Sequence, residues 1–523
     1  MKRRWLMRRA LPMLLLLAGS PILLLAQSSG PQALSLDQAL ELALPASDAV
    51  GLARADTHRA DGEVKRVRAD YLPQLTGTAS YIRTLESQFG SSSGSGASSG
   101  PSFCNSYTAH PSLTLQERVD SLESAVACYS ALNPLAGLAN LPFGRTNQYN
   151  FGLQFTQTLF SSGIVNGRPR AAVAGRRVAQ LGLSQAEAQA RLQVTEAYFD
   201  AVLSERLSGI AELSLAQAES TLADTRAGNQ VGTRPEFDLL RAQVTVDNQR
   251  SQVFQRRAQR ELARMQLLQL IGLPVATAVE LTTTLDETPA GGVMDADSLS
   301  VAAADTAVGS RAAVQQAEAA VTIQQVLTGV TRWDRLPTVT LKSTFARIGY
   351  PDNGVAWQAD YLSDWTIGVH VSVPLWTSGR LSGNSIVSEA ALTQARIRAE
   401  QARDGAAFDA RAAVLRLRTA QASWAATQRT VEQAERAYQI ATLRYQEGIS
   451  TQTELADARL LLEQAQANRA TAARDAHVAR TRLQLLQDLP LAGADVAQTL
   501  SNAASGQQAI QQPAASGTSG STP

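Results

Sequence analysis

Few residues of this 523-residue chain are spaced as a catalytic or metal-binding site requires. His370 and Ser372 lie two positions apart, which places both on one face if the segment is a β-strand. A histidine beside a serine can activate the hydroxyl as a nucleophile, but no orienting acid or amide is identifiable for this pair. The four histidines of the chain, His58, His110, His370 and His477, form no cluster with metal-ligand spacing. The sequence therefore predicts no catalysis, no cofactor and no bound metal.

The composition excludes several other classes of function. The chain carries 47 basic and 46 acidic residues, and this near-neutral balance argues against a nucleic-acid partner. It contains neither a GxxxxGK[ST] phosphate loop nor a strand-linked GxGxxG motif. Its two cysteines cannot make a disulfide-dense scaffold. Beyond residue 26 no run of about 18 apolar residues remains, so that no transmembrane helix is expected in the mature chain.

The N-terminus has the pattern of a secretory signal peptide. Residues 1–9 carry five basic side chains, and an apolar run then extends to Ala26 before a polar stretch begins. The alternative is an uncleaved anchoring helix. Removal of residues 1–26 leaves 42 basic and 46 acidic residues, so that the exported chain has a net charge of −4.

An internal repeat organises the rest of the chain. Residues 155–274 align without a gap on residues 371–490, at an offset of 216 positions. Upstream, DYLPQL at 70–75 matches DRLPTV at 334–339, at an offset of 264 positions. The difference of 48 residues indicates an insertion in the first copy, which contains a Gly/Ser-rich stretch and both cysteines.

Four segments alternate apolar and small polar residues with the period of a β-strand. The predicted strands are 75–84, 148–160, 338–348 and 365–375. In the last of them the apolar side chains run from Trp365 to Leu375, and Thr366, Gly368, His370, Ser372 and Pro374 face the other way. Strands of this length with one apolar face fit the wall of a membrane β-barrel, and an antiparallel sheet on a soluble core is the alternative. Because four strands cannot close a barrel, a barrel requires two or three copies of the chain.

The segments between the strands are rich in Ala, Gln, Arg and Glu, which favour helices. They predict one helical hairpin over 164–272, with its turn at 229–233, and a second over 381–489, with its turn at 446–451. Large residues recur every seven positions along one stripe of a helix, and alanines recur every seven positions along the neighbouring stripe. This pattern is typical of antiparallel coiled coils, and an ordinary helical bundle is the alternative. At 1.5 Å per residue, the first long helix is roughly 98 Å in length.

These observations divide the chain into successive segments. They are a signal peptide (1–26), repeat 1 (27–274, with an external loop at 85–147), a linker part-way along the helices (275–296), repeat 2 (297–490) and a disordered tail (491–523).

Several motifs now point to one known family. They are LSLDQALELAL (34–44), ADYLPQL (69–75), FTQTLFSSG (155–163), AYFDAV (197–202), VGTRPEFDLLRAQ (231–243), SVPLWTSG (372–379) and RYQEGISTQTELADAR (444–459). Together they span nearly the whole mature chain, and by them the sequence resembles the TolC-like outer-membrane efflux proteins.

The resemblance implies a mainly α-helical fold with transmembrane β-strands. In that family a homotrimer forms a twelve-stranded β-barrel, with four strands from each protomer, and a twelve-helix tunnel across the periplasm. The expected partners are a periplasmic adaptor protein, an inner-membrane transporter and the lipid of a Gram-negative outer membrane, but no nucleic acid. The expected function is a passive, non-enzymatic exit duct for tripartite efflux or type I secretion.

The resemblance also implies a periplasmic aperture with acidic side chains. Glu454 and Asp457 fall at the two acidic aperture positions of the family, while Asp238 and Tyr445 match residues that help to hold the aperture shut. Ser450 departs from the arginine of the best-known member, and Arg234 is a candidate substitute for that arginine. The alternative for the acids is that they are solvated residues near helix N-termini.

The turns of the two hairpins are the expected docking sites for the adaptor. The residues concerned are Gly232, Thr233, Arg234, Gly448, Ile449 and Ser450. Plain turns are the alternative interpretation, and the two readings are compatible.

Cys104 and Cys128 both lie in the inserted loop. A disulfide between them is expected in an oxidising compartment, and a closed loop of about 25 residues would stabilise the segment by roughly 3 kcal/mol. Free thiols or a metal shared with His110 are the alternatives.

Two other functions are compatible with the sequence. A periplasmic coiled-coil spacer with a small sheet explains the helices, and a lipase-like outer-membrane barrel enzyme explains the spacing of His370 and Ser372. The sequence does not identify the exported substrate or the class of transporter.

Overall fold

A computed structural model describes residues 32–85, 112–131, 146–161, 164–286, 308–351 and 354–491. The predicted signal peptide, the Cys104–Cys128 disulfide, most of the external loop and all but the first residue of the predicted tail lie outside the described residues.

The chain divides into two compact units, and each of them is built from segments that are distant in sequence. The hairpin unit comprises residues 1–47, 193–292 and 420–478. The sheet unit comprises residues 48–192, 293–419 and 479–523.

Long helices and six strands make up the described chain. The helices are α1 (Leu36–Ala46), α2 (Asp48–Ala69), α3 (Leu115–Ala131), α4 (Ile164–Gln230), α5 (Glu236–Leu270), α6 (Ala312–Trp333), α7 (Arg380–Gln446) and α8 (Gln452–Gln484). The strands are β1 (Gln32–Leu34), β2 (Gln74–Arg83), β3 (Asn147–Ser161), β4 (Val279–Leu281), β5 (Thr338–Gly349) and β6 (Tyr361–Ser372). No helix among the described residues is both long enough and apolar enough to span a membrane.

The sheet unit contains one antiparallel sheet with the strand order β2-β3-β5-β6. Its register places Tyr81 opposite Tyr149 and Phe345 opposite Trp365. Because side chains alternate along a strand, these pairs share one face of the sheet. That face carries the apolar residues Leu75, Phe151, Leu153, Phe155, Val339, Leu341, Ile367, Val369 and Val371 as well. The other face carries Thr76, Thr78, Ser80, Gln154, Thr156, Thr340, Lys342, Thr344, Thr366 and His370, so the predicted alternation is confirmed.

Two details of the strands differ from the sequence prediction. β6 runs over Tyr361–Ser372 rather than 365–375, because Pro374 has no N–H to donate to a neighbouring strand. In β3 the register shifts between Thr158 and Phe160, so that Phe160 rather than Leu159 lies opposite Val339. A bulge adds one residue to the strand. Phe160 therefore lies on the apolar face, although simple alternation would place it on the polar face. The other three strands lie within one residue of their predicted bounds.

The internal repeat is visible in the bounds of the long helices. α4 and α7 each contain 67 residues, and their first residues are Ile164 and Arg380. α5 and α8 begin at Glu236 and Gln452. All four starting residues are therefore related by the offset of 216 positions that the sequence predicted.

The sequence predicts one helix over about 35–72 and another over 297–335 that is broken near Gly309. The first is interrupted at Ser47, whose backbone is extended at φ −73° and ψ 117°, and Pro45 just before it weakens the helical ladder. The second has a 3-10 turn over Val308–Ser310 before the helix Ala312–Trp333, so that the predicted break near Gly309 is confirmed. Residues 297–307 lie outside the part of the chain that is described.

The hairpin unit has its own apolar core around Tyr198. Tyr198, Leu34, Leu267 and Leu268 are all almost fully buried there. The Tyr198 hydroxyl donates to the Leu34 carbonyl at 2.9 Å and accepts from the Thr283 N–H at 3.0 Å. The same segment includes β4, which pairs in parallel with β1, so the predicted linker 275–296 contains a short strand within its described part.

The sheet unit buries one charged residue at the start of α6. Arg311 is 2% exposed, and its Nη1 lies 3.6 Å from Asp409 Oδ2. The same nitrogen donates to the Ala406 carbonyl at 3.1 Å, while Nη2 donates to the Leu489 carbonyl at 3.4 Å. One arginine therefore ties α6 to α7 and to the segment that follows α8.

Candidate functional site

Two equivalent turns close the helical hairpins of the hairpin unit. Gly232 follows α4 with φ +79°, and Gly448 follows α7 with φ +72°. Thr233 N–H donates to the Gly228 carbonyl, and Ile449 N–H donates to the Arg444 carbonyl, both at 2.8 Å. These bonds close the last helical turn, and glycine adopts the left-handed conformation that this ending requires.

Arg234 and Tyr445 bring the two turns of one chain together. The Arg234 guanidinium carbon lies 4.0 Å from the centroid of the Tyr445 ring, in the position of a cation–π contact. Arg234 Nη2 also donates to the Tyr445 carbonyl at 3.4 Å. At the other end of the ring, the Tyr445 and Thr225 hydroxyls are hydrogen-bonded at 3.0 Å. Tyr445 is 3% exposed, so its hydroxyl would be costly to bury without Thr225.

Glu454 and Asp457 lie on the exposed side of α8. They are separated by three positions and so share one helix face. The Glu454 N–H donates to Thr451 Oγ1 at 3.3 Å, so that Thr451 caps the start of α8. Glu454 Oε2 lies 3.9 Å from Arg444 Nη2, and both side chains are more than half exposed. An ion pair this exposed contributes at most about 1 kcal/mol to stability.

Asp238 lies in the first turn of α5 together with Glu236. Its N–H donates to the Pro235 carbonyl at 3.2 Å. Within the described residues of this single chain, the Asp238 carboxylate has neither a hydrogen bond nor an ion pair. Arg234, which the sequence suggested as a partner for this acid, lies instead over Tyr445.

Ser450 is half-buried in the second turn, and its hydroxyl oxygen has no hydrogen-bond partner among the described residues. The remaining turn residues, Thr233 and Ile449, are exposed, as are both glycines. Thr233 Oγ1 also donates to the Gly228 carbonyl at 2.9 Å. The turns therefore present backbone and short side chains to the surroundings.

Several polar contacts between the two hairpins were not predicted from the sequence. Thr225 is one, and Arg241, whose Nη1 donates to Thr453 Oγ1, is another. Glu463 accepts from Ser214 Oγ at 3.1 Å and from Gln249 Nε2 at 3.5 Å. The seven-residue spacing of Ala218 and Thr225 is the one signal that the sequence offers, because positions seven apart lie on the same side of a coiled-coil helix.

Apolar side chains are exposed along the same hairpins. They are Val231, Phe237, Leu240, Val244, Ile440, Leu443, Ile449, Leu460 and Leu461.

Within the described part of the chain, the residues that suggested chemistry do not assemble into a site. His370 and Ser372 lie on the polar face of the sheet, where His370 is opposite Thr340. His477 is buried in the hairpin unit and stacks on Phe199, with ring centroids 4.5 Å apart. Among the described residues, no three His, Cys, Asp or Glu side chains are placed to hold a metal ion.

An antiparallel sheet with an exposed apolar face and two repeated helical hairpins define a class of protein, the outer-membrane efflux channels. The family model described as "Outer membrane efflux protein" matches residues 39–273 and 303–487. The matched residues span both copies of the repeat, and the chain belongs to this family.

Solved structures of TolC-like channels share the fold at low sequence identity. VceC from Vibrio cholerae is 18% identical with a TM-score of 0.65, over 86% of this chain and 96% of that one. CmeC from Campylobacter jejuni is 15% identical with a TM-score of 0.65, over 89% and 88%. The open-state MtrE channel of Neisseria gonorrhoeae is 17% identical with a TM-score of 0.63, over 87% and 89%. No curated protein matches the chain in sequence.

Proposed function

We propose that three copies of this chain form a passive exit duct through the outer membrane of a Gram-negative bacterium, with most of the mass in the periplasm. The duct receives substrates from an inner-membrane transporter, which supplies the energy. A periplasmic adaptor docks onto the duct and connects it to the transporter. The duct performs no catalysis. The duct serves a tripartite efflux system in this proposal, and a type I secretion system with the same architecture is the alternative.

The observation that carries this proposal is the exposed apolar face of the sheet. Ile367, at the middle of β6, is 73% exposed, and Trp365 beside it is 76% exposed. Water does not stabilise such a surface, whereas the hydrocarbon of a bilayer does. The polar face, with Thr366 and His370, is suited to line an aqueous lumen.

The edges of the sheet support assembly with other copies. β2 and β6 are the outer strands of the order β2-β3-β5-β6, and no described strand pairs with the free edge of either. A lipid environment does not tolerate unpaired strand edges, so the edges of neighbouring copies must pair. Three copies give the twelve strands that the TolC-like resemblance implies, with outer-membrane lipid around them.

The hairpin turns are suited to form the periplasmic aperture. Three copies of Glu454 and Asp457 would gather exposed negative charge around one opening and favour the passage of cations. In this proposal Asp238 and Tyr445 belong to the contacts that restrict the opening.

The same turns are the proposed docking sites for the adaptor. Gly232, Thr233, Arg234, Gly448, Ile449 and Ser450 present two related surfaces, one from each repeat. Within the external loop, the Cys104–Cys128 disulfide remains a prediction from the sequence.

Membrane fractionation tests the proposal against a periplasmic coiled-coil spacer. We expect the protein in outer-membrane fractions, as an oligomer that dissociates to the monomer only when the sample is heated before electrophoresis. Recovery of the protein in the soluble periplasmic fraction, as a monomer at every temperature, would contradict the proposal and favour the spacer.

A further inference from the structure

The external loop contains one described helix, α3 (Leu115–Ala131). Its start is capped locally, because the Thr114 N–H and Oγ1 both donate to Glu117 Oε2, at 3.0 and 2.8 Å. A helix of 17 residues is nevertheless marginal by itself in water, and most of the stability of such a helix comes from packing. The surface against which α3 packs is therefore the question.

One stripe of α3 is apolar and has the heptad spacing of a coiled coil. With Leu115 and Leu122 at position d, Val119 and Val126 fall at position a. All four side chains are between 45% and 79% exposed. Among the described residues of the same chain, nothing covers this stripe.

Two charged residues flank the stripe in a complementary arrangement. Arg118 falls at position g and Glu123 at position e of the next heptad, and both side chains are exposed. In a parallel coiled coil, position g of one helix lies beside that position e of its neighbour. Two parallel copies of α3 would therefore place Arg118 of one helix beside Glu123 of the other, which favours a second copy as the partner.

The charge of α3 argues against lipid as the cover. The helix carries Glu117, Asp120 and Glu123, and Arg118 is its one basic residue. Helices that lie on a membrane surface have a polar face rich in Lys and Arg instead.

The position of α3 in the chain allows its copies to meet. β2 ends at Arg83 and β3 begins at Asn147, so α3 is attached at the end of the sheet opposite the long helices. The 15 residues between Ala131 and Asn147 can span at most about 50 Å. Twelve strands about 4.8 Å apart, tilted by about 40°, enclose a barrel of roughly 12 Å radius. The connection is therefore long enough to bring α3 to the axis.

We propose that the α3 helices of neighbouring copies pack against one another as a parallel coiled coil on the axis of the oligomer, at its outer end. This inference rests on the proposed trimer, because copies related by one rotation axis run in the same direction along it. Valine at a with leucine at d favours two strands in free coiled coils. Here the oligomer tethers three helices at a high local concentration and so sets their number.

Disulfide crosslinking tests the contact in the full mature chain. In a background with Cys104→Ser and Cys128→Ser, Leu122→Cys places a thiol at position d. Ser124→Cys, at position f on the opposite side of α3, is the matched control. After oxidation of outer membranes, we expect Leu122→Cys to give crosslinked dimers on heated non-reducing gels, whereas Ser124→Cys should remain monomeric. At most two of three chains can be joined, because one disulfide consumes two thiols.

A charge swap tests the parallel direction and the register. In the Leu122→Cys protein, Arg118→Glu or Glu123→Arg alone brings like charges together between copies and should lower the yield of crosslinked dimer. The two changes combined restore opposite charges and should restore the yield. A yield that falls further with the combined change would contradict the proposal.

The heat-sensitive oligomer is measured in the same samples. If the oligomer is intact but both thiols crosslink equally, or neither does, the α3 contact is overturned while the proposed duct stands. Absence of the oligomer in the cysteine-free parent would overturn both.

Discussion

The guanidinium group of Arg234 lies over the ring of Tyr445, with 4.0 Å between the guanidinium carbon and the ring centroid. Arg234 belongs to the turn between α4 and α5, whereas Tyr445 belongs to the last turn of α7. The contact therefore joins the turn of one hairpin to the other hairpin within a single chain. Thr225 holds the far end of the same ring, so Tyr445 is fixed at both ends.

Removing the guanidinium group should loosen the two hairpins. We expect Arg234→Met to lower the free energy of unfolding by about 0.5–2 kcal/mol, which is the contribution of a cation–π contact. Tyr445→Leu should cost more, because it removes the buried ring together with the hydrogen bond between the Tyr445 and Thr225 hydroxyls. A double-mutant cycle measured by thermal unfolding should give a coupling energy of similar size between the two positions. Tyr445→Phe is the matched control, since it keeps the ring and should keep the coupling. Additive single effects, with no coupling, would contradict this assignment.

The two faces of the sheet should respond in opposite ways to a charge. Ile367→Arg places a cation on the apolar face near the middle of β6 and should cost about 2–4 kcal/mol in a bilayer. Thr366→Arg, one residue away on the polar face, is the matched control and should be tolerated. The amount of heat-sensitive oligomer in outer membranes measures both effects. Equal tolerance of the two variants would contradict the assignment of the faces.

The buried pair of Arg311 and Asp409 should stabilise the sheet unit far more than an exposed pair does. Arg311→Met removes the buried guanidinium group of this pair, and we expect a loss of about 3–5 kcal/mol. The pair Arg403–Glu318, at 2.7 Å but exposed at the surface, is the control. Arg403→Met should cost at most about 1 kcal/mol, although its ion-pair distance is the shorter of the two. Denaturant unfolding that gives both variants the same loss would contradict this ranking.

The glycine of the second turn should resist substitution. Gly448 has φ +72°, and an alanine there should lower stability by about 1–2 kcal/mol, because a Cβ disfavours the left-handed region. Gly62, within α2, is exposed, and a Cβ there meets no other atom within 4 Å. Gly62→Ala should therefore raise stability by about 0.5–1 kcal/mol. A stabilising effect of Gly448→Ala in thermal unfolding would contradict the turn geometry.

The repeat made much of this fold predictable from the sequence. A single offset of 216 positions correctly related the starts of α4 and α7 and those of α5 and α8. The alternation of apolar and polar residues gave the two faces of the sheet. These features depend on local patterns, which a sequence carries directly.

Features that depend on tertiary contacts were not predictable. The bulge near Thr158 arises from pairing with β5, and the strand Val279–Leu281 forms because β1 lies beside it. The helix break at Ser47 was signalled by Pro45, but the segment of about 35–72 was predicted as one continuous helix.

The candidate site was predictable in part. Spacing and resemblance drew attention to Arg234, Asp238 and Tyr445, but the sequence suggested that Arg234 would partner an acid rather than the tyrosine ring. A cation–π contact has no sequence signature, because it depends on how two separate turns meet.

The conductance of the purified oligomer in planar lipid bilayers tests the central claim most directly. We predict discrete channels that prefer cations, and a preference that falls towards unity when Glu454→Gln and Asp457→Asn are combined, because exposed acids at an opening concentrate cations. Glu261→Gln, an exposed acid of α5 away from the turns, should leave the selectivity unchanged. An oligomer that conducts no ions, with the acids either present or neutralised, would contradict the account.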